Sequence, residues 1–395
     1  MDLRTTLALQ PDHILYRSQR ALLGAGVLGL VLSIAGALLD RAQFFRSYLV
    51  AYLFFTGIAL GALGLVSLNH VTGGRWGVVI RRIGEAAMRT LPLLLVLFLP
   101  LALGLGDLYE WARPDVVAHD AVLQHKQVYL NVPFFLVRVV LYFAVWLTIM
   151  HFLVRWSREQ DVTGGAGVVR RLQFLGRGAL LLYSLTMTFA AIDWAMSLEP
   201  RWYSTIYGIL IIGGQVLSAF AFVIPVLALV TDREPFIELV NAEQFHDLGK
   251  LMLAFVMLYA YFAFSQFLII WSGNLPAETP WYLERLRGGW QYVALAVVLL
   301  QFALPFAMLL SRDVKLHARR LMGVALVVLF ARLIDLYWLV MPSFFPARLT
   351  VHWIDLAAVL GVGGLWLSYF LWQLRDEPLL PLRDPDLPIV VAEAS

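Results

Sequence analysis

Ten continuous apolar stretches divide the chain almost end to end, over residues 21–39, 48–69, 90–105, 131–154, 172–197, 205–230, 249–271, 290–310, 320–341 and 353–374. A helix needs about 20 apolar residues to cross the hydrocarbon of a bilayer, and most of these stretches reach that length. The third is the shortest and is interrupted by Pro92 and Pro100. Apolar residues run on without alternating with polar ones, which excludes a membrane β-barrel. The pattern therefore predicts an all-α integral membrane protein with about ten transmembrane helices. Residues 1–20 form an N-terminal segment, 21–374 the membrane domain, and 375–395 a tail. Pro378, Pro381, Pro385 and Pro388 deny that tail regular pairing, leaving either a disordered end or a strap along a neighbouring subunit.

Composition supports this pattern. Mean hydropathy is +0.76, with 61% hydrophobic and 14% charged residues, against about a quarter charged in soluble domains. The longest connection, 106–130, is too short to fold as a soluble domain. Charge distribution gives an orientation. The two termini and the even-numbered connections carry twenty Lys and Arg, and the opposite side carries eight. Both termini are accordingly expected in the cytoplasm. No small-x-small site follows the first span, so it is expected to remain as a signal anchor. Trp111, Trp202, Trp281 and Trp353 outside, with Trp76 and Trp156 inside, fit interfacial aromatic belts. Gly57-x-x-x-Gly61 in the second span offers a close-packing face.

The chain has no cysteine, so it cannot hold a disulfide, a cysteine-ligated iron–sulfur cluster or a c-type haem. Of its histidines, His70 and His151 end the second and fourth spans and could in principle face each other across helices, but haem ligation there is disfavoured.

Several charges lie inside the spans, where an ionisable group is expensive and faces a partner or a water path. Asp193 falls in the outer part of the fifth span and Arg138 in the outer half of the fourth. Arg332 lies near the middle of the ninth, with Asp335 one turn further out on the same face. His352 and Asp355 begin the tenth span. Three interpretations stand side by side. These groups are neutral ion pairs that lock helices together, or they line the outer half of a proton path, with Asp193, Arg332, Asp335 and Asp355 along it and Arg138 and His352 adjusting their charge, or they bind a substrate. The inner half offers only weaker relays, His70 and His151 among them.

Two segments carry a resemblance: FAAIDWAMSLEPRWYSTIYG (189–208) and FHDLGKLMLAFVMLYAYFAFSQFLIIWSGNLP (245–276). They resemble the NrfD-like membrane subunits of the polysulfide-reductase family, and more closely the F-type subunit of bacterial alternative complex III, a quinol oxidoreductase. HVTGGRWGVVIRR (70–82) and VYLNVPFFLVR (128–138) are similar to it too. The resemblance implies two four-helix bundles, helices 2–5 and 6–9, flanked by helices 1 and 10, in a bacterial inner membrane. It implies that this chain binds no redox cofactor. Haem c and iron–sulfur clusters would belong to partner subunits, namely a multihaem cytochrome c, an iron–sulfur protein and a sister NrfD-like subunit, with quinol as the substrate of the complex and lipid around it. No nucleic-acid partner is implied. The family's helix-5 acid falls on Asp193, the focus of both proton-path and quinone-site proposals for the family. Two rival functions remain: a quinol-binding subunit with its own site near Asp193, and a free-standing secondary transporter.

Overall fold

The computed structural model describes residues 6–232, 234–375 and 377–384. The protein is 82% helical with no strand among these residues, and ten helices are long and apolar enough to cross a membrane. They are α1 (Ile14–Leu39), α2 (Arg41–Thr72), α3 (Arg75–Leu103), α4 (Val132–Thr163), α5 (Ala166–Leu198), α6 (Tyr207–Val230), α7 (Ala242–Gly273), α8 (Trp290–Leu310), α9 (Ala318–Ser343) and α10 (Trp353–Arg375). The protein is thus a multi-pass helical membrane protein. α1 begins and α10 ends on one face, the terminal face; the opposite end is the distal face.

The helix ends follow local chemistry. The Asp40 carboxylate accepts from Gln43 N to cap α2, Asn131 does the same for α4, and Asn241 with Gln244 closes a capping box on α7. Gly164, at φ 61°, supplies the left-handed residue that ends α4.

α2–α5 pack as one four-helix bundle and α6–α9 as a second. α2 and α6 are the axis of the molecule, with 94% and 89% of their apolar windows buried. They meet at Gly61, where even a methyl group would collide with the Gln215 backbone carbonyl of α6. The small-residue face read from the sequence is therefore the seam between the bundles. α1 and α10 form a separate pair, crossing at Gly26 and Gly29 against Gly364 and Gly361, and α10 lies on α2. Outward-facing leucine, valine and phenylalanine on α1, α4, α5, α7 and α8 form the lipid surface.

Three features depart from the sequence expectations. The third helix does not start at residue 90 but at Arg75, and it is segmented at Pro92 and Pro100. Its first half was missed because it is amphipathic, with Arg81 and Arg82 facing protein partners rather than water. The Tyr48 hydroxyl donates to the Leu97 carbonyl beside the second break, as backbone left open in lipid requires. A second interruption lies in α8, where Val298–Ala303 form a π turn. Pro305 has no N–H for the Gln301 carbonyl, and the hydrogen-bond ladder is displaced locally. Finally, Trp111, Trp202 and Trp281 are buried, whereas Trp353 is exposed. Trp202 and Trp281 stack at 4.7 Å. They pin distal loops to the bundles instead of forming a lipid belt.

Candidate functional site

The charges inside the spans are gathered into separate centres, one in each bundle. In the first, the Arg138 guanidinium grips both Asp193 oxygens in a fork, Nε to Oδ2 and Nη2 to Oδ1, each at 2.8 Å. The Tyr142 hydroxyl donates to Oδ2 at 2.7 Å, and Arg138 Nη1 donates to the Tyr129 carbonyl. Tyr129 and Phe134 stack on the guanidinium, at 3.9 and 4.5 Å. Asp193 is fully buried. The α4 Arg138–Tyr142 spacing places both side chains one turn apart on the face that meets α5.

In the second bundle Arg332 pairs with Asp335, and the α7 Tyr259 hydroxyl donates to Asp335 Oδ2. Both bonds reach the same oxygen, Oδ2. Arg332 Nε reaches the Ser218 hydroxyl at 3.4 Å, and its guanidinium lies 4.5 Å from the Tyr259 ring. Gly214 on α6 is a glycine for this reason, since a β-carbon there would occupy the Arg332 position.

Between the two centres lies a small cavity of about 20 Å³, lined by Trp194, Gln215, Ser218 and Arg332 among others. That volume suits a single water molecule. Trp194 follows Asp193 in α5, and its indole nitrogen has no hydrogen-bond partner among the described residues. A larger cavity of about 600 Å³ lies beside Asp335, between α7 and α8. Asp193 lines neither cavity.

The other expected site residues stand apart. Asp355 at the start of α10 accepts from Gln43 Nε2, Ser47 Oγ, Tyr337 Oη and its own His352 N. Its partners are neutral, so it is a helix tie rather than an ion-pair member. The His352 ring accepts from Ile354 N and so caps its own helix. His70 is buried, with no partner for Nε2 among the described residues, while His151 is exposed on the outside of α4 against Phe152. The eight expected site residues therefore do not form one continuous line.

The strongest ionic layer was not anticipated. On the terminal face Arg82 pairs with Glu85 at 2.7 Å and with Asp161 of α4. Arg81 pairs with Asp384 at 2.6 Å and with Asn69 Oδ1 at 2.9 Å. Arg81, Arg82, Glu85, Asp161 and Asp384 are all buried. Counting Arg81 and Arg82 as loop charges was therefore wrong, although the positive excess on that side remains without them. The signal was in the sequence: the Arg82–Glu85 spacing is the same i, i+3 geometry as Arg332–Asp335.

That layer holds the proline-rich tail. Leu382 N donates to Asp161 Oδ1 at 3.0 Å, and Glu377 pairs with Arg89 and Arg158. Residues 377–384 are a strap on this chain's own bundle; residues 385–395 lie outside the described residues. Ending the chain after residue 376 leaves Arg81 without its carboxylate. Breaking a buried pair costs about 3–5 kcal/mol. The truncated protein should unfold in detergent at clearly lower temperature than the full chain; equal melting would show that the strap does not support the bundle.

The distal loops join the bundles from the other end. Arg285 Nη2 donates to Glu199 Oε1 at 2.6 Å and Ser343 Oγ donates to the same oxygen. The Glu199-Pro200-Arg201-Trp202 turn is thus a staple between the halves. Arg201 is raised above its ordinary value by its bonds to Asp120 and Glu110. Burial pushes the Tyr282 phenol up to about 12, and its oxygen accepts from Gln266 Nε2. Burial also raises Glu284 above the ordinary carboxylate value, with Glu199 adding to the effect.

The fold and these centres define a class, a ten-helix membrane protein of two four-helix bundles with a buried Arg–Asp–Tyr group in each. Set against models of known protein families and against curated proteins, the chain matches none.

Proposed function

We propose that this chain is a membrane subunit, without redox cofactors of its own, of a bacterial quinol:electron-acceptor oxidoreductase of the alternative complex III type. It lies in the cytoplasmic membrane with both termini inside, beside a sister NrfD-like subunit, a multihaem cytochrome c and an iron–sulfur subunit that carry the electrons. Its own task is to move protons through its distal half. The family assignment rests on the sequence segments quoted above.

The observation that carries the proton role is the pair of enclosed carboxylates, one per bundle, each bonded to a tyrosine hydroxyl and each beside the small cavity or its lining residues. A buried carboxylate balanced by an arginine keeps its charge without bulk water, and a phenol hydroxyl or one water can hand it a proton. The centres differ in readiness. Both oxygens of Asp193 are held by the Arg138 fork, so protonation there requires the fork to open. Among the described residues Asp335 is bonded at Oδ2 alone, and it lines the larger cavity, which leaves Oδ1 to take a proton. Asp335 is therefore the main station and Asp193 the gated one.

Copurification with multihaem and iron–sulfur subunits tests the assembly; isolation of this chain without them overturns it. Asp193→Asn and Asp335→Asn test the proton role. Each variant complex should assemble and oxidise quinol while releasing fewer protons per electron. Purely structural ion pairs predict loss of the complex instead, because each substitution leaves a buried arginine uncompensated. A quinol site at Asp193 predicts normal assembly with collapsed quinol oxidation in Asp193→Asn. Normal turnover with normal proton release in both variants would falsify the proton role.

A further inference from the structure

A cavity of about 260 Å³ lies on the outer side of the first bundle, between the segment that precedes α4 and the turn that joins α5 to α6. Lys126, Tyr129, Pro200 and Trp202 line it, and Val128 and Tyr203, 88% and 59% exposed, stand at its mouth. It sits where the apolar stretches of α4 and α5 end and that of α6 begins, on the distal side. That is the level at which lipid headgroups meet a membrane protein. The floor continues into the bilayer. Leu185, Phe189, Ile192 and Met196 recur on α5 at the spacing of one helix face. Leu185 and Phe189 are exposed on the lipid surface, while Ile192 and Met196 line the cavity.

The charge of the lining is one-sided. It contains Lys126 and His125 and no aspartate or glutamate. Lys126 Nζ donates to the Pro200 carbonyl at 2.5 Å, which occupies one of the three donors of an ammonium. Burial lowers Lys126 below the ordinary lysine value, and no neighbouring carboxylate offsets that effect. The nearby acids are already taken, Glu110 and Asp120 by Arg201 and Glu199 by Arg285. Trp202 is 5% exposed, yet its indole nitrogen has no hydrogen-bond partner among the described residues. Such orphaned donors are few in native proteins.

These observations select the ligand. A partly buried ammonium and an unpaired N–H call for an anion with several acceptor oxygens, and the α5 track calls for a hydrocarbon chain attached to it. Sites for whole drug-sized molecules measure about 300–1,000 Å³, so this cavity suits a headgroup rather than an entire lipid. A zwitterionic headgroup would bring a second cation, for which the lining has no carboxylate. We propose that this cavity binds the headgroup of an anionic phospholipid of the distal leaflet, with its phosphate on Lys126, a headgroup oxygen on the Trp202 indole N–H and an acyl chain along Leu185 and Phe189. Tyr129 is common to this site and the first charged centre, since its ring and carbonyl hold Arg138. The lipid site goes beyond the function proposed above and stands whether or not this chain moves protons.

The test uses the full chain in phosphatidylcholine nanodiscs, with a phosphatidylglycerol that carries a diazirine at the head of one acyl chain as probe. After illumination the labelled peptides are mapped by mass spectrometry. Labelling of residues 125–130 and 185–203 should saturate and should be competed by unlabelled phosphatidylglycerol, but not by inorganic phosphate. Lys126→Met keeps the apolar stem and removes the charge; it should weaken labelling about tenfold, the value of one charge-assisted hydrogen bond. Lys126→Arg should restore it. Val128→Asp alters only an exposed position and should also weaken labelling, by setting a negative charge at the mouth; it decides the matter if Lys126→Met does not fold. Unsaturable labelling, competition by inorganic phosphate, or labelling in Val128→Asp equal to that of the parent would each overturn the site, as would parental labelling of a folded Lys126→Met.

Discussion

Arg82→Met is expected to prevent the protein from accumulating in folded form. Among the described residues, Arg82 is the cation paired with both of two buried carboxylates, Glu85 on its own helix and Asp161 on α4. Removing it leaves both acids facing each other in a protein interior. One uncompensated buried charge costs about 3–5 kcal/mol, and here there are two. Total stabilities of about 5–15 kcal/mol leave little margin for such a loss. Asp161 also accepts from Leu382 N, so the strap should loosen at the same time. The check is fluorescence-detected size exclusion of a tagged protein, with Arg82→Met alone and combined with Glu85→Met and Asp161→Leu. The triple variant removes all three charges and should recover much of the folded peak, because apolar replacement of a whole buried ionic group is often neutral. A monodisperse Arg82→Met protein at parental yield would show that water reaches the layer and that it is not a structural lock.

The second large effect is expected at the bundle seam. Gly61→Leu must place a side chain where the Gln215 carbonyl of α6 already lies. A flexible side chain could turn aside, but a backbone carbonyl within a helix cannot. The bundles must separate locally, breaking the Tyr183 hydroxyl bond to Gln215 Oε1, now 2.7 Å, and opening the small cavity beside Arg332. Overpacking a tight core costs about 1–3 kcal/mol and more where backbone has to move. The neighbouring Gly57 provides the control, since its β-carbon would meet only the Gln215 side chain at 3.4 Å. Gly57→Ala should be nearly silent and Gly61→Leu severe in the same thermal assay. Equal behaviour of the two would place the seam elsewhere.

Both effects show where sequence reading carried and where it stopped. The ten spans were legible because hydrocarbon imposes one rule on every residue it meets, and that rule acts on composition alone. Pro92 and Pro100 announced the breaks in α3, since a missing N–H is a local property. Arg332 and Asp335 were legible as a pair because helical spacing puts them on one face. Arg82 and Glu85 have the same spacing, but flanking arginines made that stretch look like a cytoplasmic loop.

The sequence by itself determined the class of protein, the number of crossings and the presence of buried charge, because each follows from local hydropathy and spacing. Tertiary structure decided which charges meet. Arg138 reaches Asp193 across 55 residues, Tyr259 reaches Asp335 across 76, and Arg81 reaches Asp384 across 303. None of these distances has a period or a motif, since each depends on how two helices or a strap happen to lie side by side. The α7–α8 cavity belongs to the same category. Gln301 reads as an ordinary polar residue in an apolar helix, and only the π turn and the gap beside it leave its amide without a partner.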